Sequence, residues 1–432
     1  MLHDWLPRGS LRRIVAGNTL SQLIGRVISS VAVVIVSLLI AKRYGPEGYG
    51  DFVKITTYVS FFYLIADFGL NAVYLQRTAG EEKISRPSVG NDWRLLLGLR
   101  LIMSLVLIAV ALAILSLLPP GLSQGYTELV RLGIVILIPV IFAQAVTTTT
   151  NAFFQKILRY DLSTVAQNAG SLAMLTVVMS LSYWTSISGS FLGVFSVIAG
   201  SVITALLALK LVRGHLGSIL PKISFSAFAS YLRDGTPLGL ALIFNLIYFH
   251  SDSVVLTLTR TTREVGIYGL AYKVFELPLV VPIFFMNAVY PLLLKNGKQQ
   301  GSQDRNIFIR SLQFLLFSSV ILAVGIWVTA PLVTLVRPDF ADSIAPLRIL
   351  ILGLPIFFVS ALFMWFLIAR KMQRVLLVVH GIAMIGNIFC NAIFIPSYGM
   401  HAAAWITISS EFFVLVSTGI IALVKYRNSI KT

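Results

Sequence analysis

Charged residues inside two apolar runs are the best candidates for chemistry in this chain. The stretch from Pro237 to Lys295 holds both runs, on either side of a short charged turn, Arg260–Glu264. Asp252 lies in the first run, and Lys273 and Glu276 lie in the second. A charge in the middle of a membrane helix costs about 2.5–3.5 kcal/mol, so it usually marks a functional or paired group. Asp252 and Lys273 lie at similar distances from the turn, so the spacing predicts that they can form an ion pair.

The same hairpin admits two interpretations. Asn245, Tyr248 and Asp252 share one helical face, and Lys273 and Glu276 are one turn apart on the next helix. A structural ion pair is the first interpretation. The second is a proton or cation site that couples to transport, because intramembrane carboxylates and lysines often titrate. The residues alone leave both open.

The first apolar run carries a polar stripe. Its members recur at helical spacing and therefore lie on one face: Asn18, Gln22, Arg26 and Ser29. Close helix packing through the small residues Gly17, Gly25 and Ser29 explains part of the pattern. A water-filled cavity explains Arg26 as well, since an arginine there can bind an anionic oxygen in a bidentate manner.

Composition places these residues in a membrane protein. The chain has 432 residues, of which 57% are hydrophobic and only 12% charged, whereas soluble domains carry about 25% charged residues. The net charge of +17 comes from basic residues scattered over loops, so we expect no nucleic-acid partner. The single cysteine, Cys390, forms no intramolecular disulfide. The five histidines have no metal spacing and there is no P-loop, so we expect no cofactor, no metal, no catalytic residue and no enzyme activity.

Hydropathy predicts an all-α protein with twelve spanning segments. The expected ranges are 14–40, 53–75, 95–118, 129–150, 162–183, 190–212, 237–259, 266–293, 308–330, 344–369, 374–395 and 400–424. Roughly two thirds of the 34 lysines and arginines fall at the termini and in loops on the same side. The positive-inside rule therefore places both termini in the cytoplasm.

A faint repeat divides the chain into halves. The tetrapeptide NAVY occurs at Asn71–Tyr74 and again at Asn287–Tyr290, an offset of 216. YGDFVK at Tyr49–Lys54 parallels YGLAYK at Tyr268–Lys273, which makes Lys54 the counterpart of Lys273. We therefore expect two pseudo-symmetric six-helix bundles around a central cavity, an N-terminal bundle over 1–222 and a C-terminal bundle over 223–432. Repeated bundles are common in transporters, with the substrate site between the halves.

Several other polar residues lie within predicted spans. Asp67 is placed to cap a helix or to pair with Arg77. Glu411 lies in the middle of segment twelve, and Asn387 and Asn391 share a face of segment eleven. For these residues we expect hydrogen bonds between helices rather than contacts with a ligand.

Four sequence motifs occur in order along the two halves. They are LLIAKRYGPEGYGDF with DFGL, then HSDSVVLTLTRTTREVGIYGLAYKVFELP, then LRIL after RPDF, and finally NIFCNAIFIPSYGMHAAAWITISSEF. Together they resemble the Wzx-type oligosaccharide/polysaccharide flippases, the polysaccharide-transporter branch of the multidrug/oligosaccharidyl-lipid/polysaccharide superfamily. One departure is Met400-His401, where that family usually has an apolar residue followed by Gly.

The resemblance implies a function in the bacterial inner membrane. It implies a flippase that moves undecaprenyl-diphosphate-linked oligosaccharide repeat units to the periplasmic leaflet by alternating access, for O-antigen, capsule or exopolysaccharide synthesis. Coupling to H+ or Na+ is possible on this interpretation, and membrane lipid, a polymerase and other assembly proteins are the implied partners. The implied roles are diphosphate binding by Arg26, Lys54 and Lys273, sugar binding by Asn18, Gln22, Asn245 and Tyr248, and ion coupling by Asp252 and Glu276.

Other functions compete with this one. A cation-coupled multidrug antiporter of the same superfamily would favour carboxylates in its cavity, whereas three of the residues named here are cations. A peptidoglycan-precursor flippase usually has two more helices than the twelve predicted. A membrane glycan polymerase would need a substantial periplasmic loop, and the loops expected on that side are short turns.

Overall fold

Helices form almost all of the protein. The computed structural model describes residues 8–78, 87–118, 121, 123–184, 189–296, 302–370 and 372–431. The helices of the first half are α1 (Arg8–Ile65), α2 (Leu70–Arg77), α3 (Pro87–Leu117), α4 (Glu128–Leu137), α5 (Val140–Lys156), α6 (Tyr160–Trp184) and α7 (Gly189–Leu216). Those of the second half are α8 (Phe225–Thr259), α9 (Thr262–Glu276), α10 (Val280–Asn296), α11 (Ser302–Thr329), α12 (Ile344–Leu352), α13 (Leu354–Ala369) and α14 (Gln373–Lys431). The all-α prediction is confirmed.

Two glycine kinks reconcile this list with twelve spans. Ten helical stretches are long and apolar enough to cross a membrane among the described residues, and two of them, Ile28–Arg77 and Gln373–Ala422, are 50 residues long. Fifty helical residues measure about 75 Å, roughly twice the thickness of a bilayer. Gly45 (φ 70°, ψ −173°) and Gly399 (φ 59°, ψ −143°) kink the chain within these stretches and separate two helices in each. Each stretch therefore holds two spans, which agrees with the predicted count.

The kinks also correct two predicted connections. A loop was expected over 41–52, and a turn over Pro396–Gly399. The structure is helical through both, apart from the single glycine in each. Glycine adopts these positive-φ conformations without the steric cost that a Cβ imposes, so one residue is enough to separate the two helices.

Other spans are broken helices. The second span is interrupted between α1 and α2, where Phe68 and Gly69 have φ values of 41° and 66°. The fourth is interrupted at Ile138-Pro139 and the tenth at Gly353. Breaks expose backbone groups inside the membrane and are tolerated only where protein or a cavity covers them. They are therefore places where polar chemistry is expected.

The breaks support the internal repeat. α4 is preceded by the N-cap Thr127 and α12 by the N-cap Ser343, an offset of 216. Gly50 and Gly266 are also 216 positions apart. A Cβ on Gly266 would lie 1.9 Å from the carbonyl oxygen of Pro46 and 2.9 Å from the amide nitrogen of Gly50, so only glycine allows these backbones to touch. The same offset as the NAVY motif favours a duplicated structural unit.

Packing divides the residues into two compact units. Unit 1 comprises Met1–Arg43, Lys54–Gly121 and Tyr126–Ile243, and unit 2 comprises Tyr44–Val53, Leu122–Gly125 and Phe244–Thr432. α8 contributes its first part to unit 1 and its second part to unit 2. The boundary expected between residues 222 and 223 stays a prediction, since units defined by packing need not follow the ends of a repeat.

Each unit has its own apolar interior and exposes apolar side chains on its surface. The core of unit 2 includes Phe275, Leu350 and Phe358, all fully buried. Large apolar side chains such as Leu117 and Phe317 are more than two thirds exposed. Water would oppose such a surface and lipid would not. The exposed apolar surface is therefore the lipid-facing surface expected of a membrane protein.

Candidate functional site

Asp252 is a buried carboxylate held by neutral donors. It lies on α8 and is 2% exposed. Its Oδ2 accepts hydrogen bonds from the Tyr268 hydroxyl of α9 at 2.5 Å and from the Thr407 hydroxyl of α14 at 3.3 Å. Its Oδ1 accepts from the backbone N–H of Ser253 at 2.6 Å. No lysine or arginine nitrogen lies within 4 Å of Asp252 among the described residues.

The predicted pair between Asp252 and Lys273 was therefore wrong. The Lys273 ammonium lies 2.7 Å from the Glu276 carboxylate, one turn along its own helix α9. Both side chains are about one-third exposed. Similar depth in neighbouring helices allowed the expected contact, but the i,i+3 neighbour on the same helix face is closer. We call the polar side chains around Asp252 and Glu411, together with Lys273 and Glu276, the polar region of unit 2. Lys273 and Glu276 are its more exposed members.

An amide ladder lies beside Asp252 in the sequence. Asn391 on α14 donates to the Ser251 hydroxyl at 2.9 Å and to the side-chain oxygen of Asn387 at 2.7 Å. Ser251 also donates to that oxygen, and Asn387 donates to the Ser410 hydroxyl at 2.9 Å. The bonds from Ser251 to both asparagines confirm the expected bonding between helices. The side-chain oxygen of Asn391 is buried and accepts no hydrogen bond from any described residue.

A second buried carboxylate lies in the same unit. Glu411 on α14 is 6% exposed and accepts a hydrogen bond from the Tyr248 hydroxyl of α8 at 2.7 Å. Tyr248 is 4% exposed, whereas Asn245, one turn earlier, is only partly buried. The sequence placed Tyr248 and Glu411 in separate spans, and only the fold makes them partners. The pair widens the polar region of unit 2 beyond the residues chosen from the sequence.

Unit 1 holds a buried ion pair that was not predicted. Arg100 on α3 is fully buried, and its guanidinium lies 2.6 Å from the Asp67 carboxylate. Arg100 also donates to the Thr149 hydroxyl at 3.2 Å. The expected partner of Asp67, Arg77, instead binds Asp234 at 2.7 Å. The signal available in the sequence is an arginine inside the third apolar segment.

The remaining predicted site residues belong to the first two spans. Lys54 lies in α1 and is 1% exposed. The side chains of Asn18, Gln22 and Arg26 lie outside the described residues. The last member of their stripe, Ser29, donates to the side-chain oxygen of Asn168 on α6 at 2.7 Å. The stripe therefore continues as a bond between helices at its described end.

The polar region of unit 2 is rich in oxygen ligands. Its described members offer the buried carboxylates of Asp252 and Glu411, which accept hydrogen bonds from neutral hydroxyls, and the amide oxygen of Asn391, which accepts none from the described residues. Hard cations prefer such ligands. No cluster of three or more His, Cys, Asp or Glu side chains suitable for a metal ion occurs in the described part of the chain.

Sequence comparison supplies the family. A family model described as "Polysaccharide biosynthesis protein" matches residues 13–297, about two thirds of the chain. The chain belongs to this family. No curated protein sequence matches the chain. The motifs that resembled polysaccharide flippases are thus confirmed at the level of the family.

Solved structures of low sequence identity share the fold of this family member. The lipid II flippase MurJ in an inward closed conformation is 16% identical, with a TM-score of 0.76 over 95% of this chain and 87% of that one. An inward-facing multidrug resistance MATE transporter of the MOP superfamily is 14% identical, with a TM-score of 0.75 over 94% and 96%. A MOP transporter from Pyrococcus furiosus, described as having a binding pocket of reverse polarity, is 14% identical with a TM-score of 0.67 over 97% and 95%. The fold is that of the MOP transporters.

Proposed function

We propose that the protein is a flippase for undecaprenyl-diphosphate-linked oligosaccharide repeat units in the bacterial inner membrane. The observation that carries the proposal is the match to a polysaccharide-biosynthesis family on a chain with the fold of a lipid II flippase. Both the family and the structural neighbours point to transport rather than to an enzyme. The glycan would supply O-antigen, capsule or exopolysaccharide, and both termini would lie in the cytoplasm.

Among the proposed diphosphate ligands, Lys273 is best supported. It is one-third exposed and pairs with Glu276 at 2.7 Å, a contact that an anionic substrate can displace. Lys54 is 1% exposed, so its access to a substrate needs a rearrangement of unit 1. Arg26 remains proposed as the third cation, and Asn18, Gln22, Asn245 and Tyr248 as the polar groups that meet the sugars.

Ion coupling would use Asp252, with Glu276 as the second proposed carboxylate. Asp252 is supported by its burial, by its hydrogen bonds from the neutral hydroxyls of Tyr268 and Thr407, and by the absence of a lysine or arginine partner among the described residues. A buried charge without a counter-ion is costly, so binding H+ or Na+ would stabilise it. Binding and release at such a group can bias a transporter between two states.

The first experiment measures where the substrate accumulates. Deleting the gene should trap lipid-linked repeat units in the cytoplasmic leaflet, and the wild-type chain should release them. A polymerase defect would instead leave unpolymerised units in the periplasmic leaflet. Unchanged glycan assembly together with increased drug sensitivity would favour the multidrug antiporter, the alternative that the MATE neighbour supports.

The second experiment separates a structural role of Lys273 from a substrate role. Lys273→Gln should reduce flipping because the cation is lost. The double variant Lys273→Glu with Glu276→Lys keeps an i,i+3 ion pair on α9 but moves the cation by one turn. Restored flipping in this double variant would indicate a structural pair and would contradict the proposed contact with the diphosphate. Arg26→Ala with intact flipping would likewise remove Arg26 from the site.

The third experiment tests ion coupling. Asp252→Asn preserves a hydrogen-bond acceptor for Tyr268 but removes the charge, so flipping should lose its dependence on a proton or sodium gradient. Glu276→Gln is tested in the same assay. Flipping by both variants with normal rate and normal pH dependence would exclude these carboxylates as the coupling groups.

A further inference from the structure

Unit 2 contains a cavity that none of the proposed roles uses. Its volume is about 520 Å³, within the range of about 300–1,000 Å³ typical of ligand pockets. It lies where α11 ends and α12 begins, beside the kink in α14. The lining residues are Trp327, Ala341, Asp342, Ile344, Ala345, Arg348, Ile349, Met400 and His401. Loops at this end carry few basic residues, so the positive-inside rule predicts that it faces the periplasm.

Arg348 is the one base among these lining residues that stays charged at every relevant pH. It lies in the second turn of α12, inside the apolar stretch Pro338–Ala369. Its guanidinium carbon is 5.2 Å from the centroid of the Trp327 ring. Its Nε–H is buried and donates to no described residue, and no described carboxylate lies within 4 Å of it. The ring contacts the guanidinium, and the Nε–H has no acceptor among the described residues.

An arginine whose buried Nε–H lacks an acceptor is suited to bind an oxyanion. Two parallel N–H groups match phosphate or carboxylate oxygens, and the planar group can stay stacked on an aromatic ring at the same time. The acidic lining residue Asp342 does not neutralise Arg348, because its nearest described ionic partner is Arg263 at 3.9 Å. Asp342 is well exposed, so water screens its charge. The cavity therefore offers an anionic group one half-buried cation, whose Nε–H is itself buried.

The surroundings of the cavity are apolar and face outward. In the segment that follows Trp327, the side chains of Val328, Leu332 and Leu335 are 68%, 56% and 76% exposed. On α14, Trp405 is 52% exposed, one turn beyond His401. Tryptophan concentrates at membrane–water interfaces. A ligand whose anionic group enters this cavity can thus keep apolar chains on the adjoining surface.

We propose that this cavity binds the phosphate diester of a membrane phospholipid, with Arg348 as its ligand and the acyl chains lying along the exposed surface beside Trp327. The site is distinct from the polar region around Asp252 and does not depend on the proposed flippase activity. Bound lipid would fill the space between α11, α12 and α14.

Thermal unfolding of the full-length protein in detergent tests the proposal. After delipidation, phosphatidylglycerol or phosphatidylethanolamine in mixed micelles should raise the Tm of the wild-type chain. At lipid concentrations near a hundredfold the Kd the rise should be about 5–10 °C. Diacylglycerol, which has the chains without the phosphate, should give no comparable rise. Sodium phosphate, which has the anion without the chains, should be much weaker.

Three variants assign the effect to the cavity. Arg348→Gln should abolish the rise in Tm, and Ala345→Leu should reduce it by filling the cavity while keeping the arginine. Arg337→Gln is the matched control, because that arginine lies at the same end of unit 2 and is already paired with Asp339 at 2.7 Å. A full lipid effect in Arg348→Gln would overturn the proposal. An equal effect of diacylglycerol, or an equal effect of sodium phosphate alone, would overturn the lipid phosphate as the ligand.

Discussion

The buried pair between Asp67 and Arg100 allows the sharpest test of the packing in unit 1. Removing one partner of a buried ion pair costs about 3–5 kcal/mol, because the other charge stays uncompensated. Arg100 is 0% exposed but Asp67 is 35% exposed, so water offsets part of that cost. Asparagine also keeps a neutral acceptor. We therefore expect Asp67→Asn to cost about 2 kcal/mol, or about 4–8 °C in Tm for a unit of this size.

A double-mutant cycle separates the pair from other contacts. Arg100→Met removes the buried cation and leaves Asp67, which water can reach, so we expect a cost of about 1 kcal/mol. The double variant leaves no buried unpaired charge. Its Tm should therefore lie close to that of Arg100→Met alone and not at the sum of the two effects. The coupling between the two sites should be about 2 kcal/mol.

Trp93 provides a local measurement. It is fully buried on α3, and its indole N–H donates to the carbonyl oxygen of Thr149 at 3.1 Å. The Thr149 hydroxyl accepts from Arg100, so the indole reports on the same structure. Its fluorescence should shift at the same temperature as the global transition in the wild type and earlier in Asp67→Asn. Additive Tm losses in the double variant would show that Asp67 and Arg100 do not stabilise each other.

Three further outcomes follow from the described contacts. Gly399→Ala should destabilise unit 2 by more than about 1–2 kcal/mol, because φ is +59° and the new Cβ would lie 2.0 Å from the Glu264 side chain. Gly386→Ala is the control: it has open space around the new Cβ and should be neutral or stabilising in the same unfolding assay. Tyr268→Phe removes the hydroxyl that donates to Asp252 at 2.5 Å, so the dependence of flipping on sodium or protons should shift while expression stays normal. An unchanged dependence would show that Asp252 is not the coupling group. Glu411→Gln keeps an acceptor for its partner hydroxyl, so unfolding should change by less than about 1 kcal/mol, and a larger loss would show that the charge itself stabilises the fold.

Much of the fold follows from local sequence properties. Long apolar runs need internal hydrogen bonds in a bilayer, and helices provide them within one segment. That requirement, together with the length and number of the apolar runs, predicts the all-α fold and the count of twelve spans. The repeat was also legible, since the offset of 216 in NAVY recurs between Gly50 and Gly266, whose close approach no side chain would permit.

The kinks and breaks were less predictable. Gly45 is followed by Pro46, a pair that favours a turn. The sequence pattern does not predict that the kink is confined to one residue. The break at Phe68 depends on tertiary packing, because a non-glycine residue at φ 41° is strained. Leu238 lies directly against the neighbouring Gly69 within unit 1. The observed conformation fits that packing, which no local pattern encodes.

The sequence by itself determined which residues had to be paired, and only the tertiary structure decided with whom. Each charge or amide in an apolar segment predicts a polar partner, because an unpaired polar group in lipid is costly. The predicted depths of Asp252 and Lys273 in the membrane are similar, yet Asp252 accepts a hydrogen bond from Tyr268 and Lys273 forms an ion pair with Glu276. Arg100 on α3 pairs with Asp67, which lies in the break between α1 and α2. Depth is a one-dimensional property of the chain, whereas a partner is set by helix rotation and neighbour choice in three dimensions.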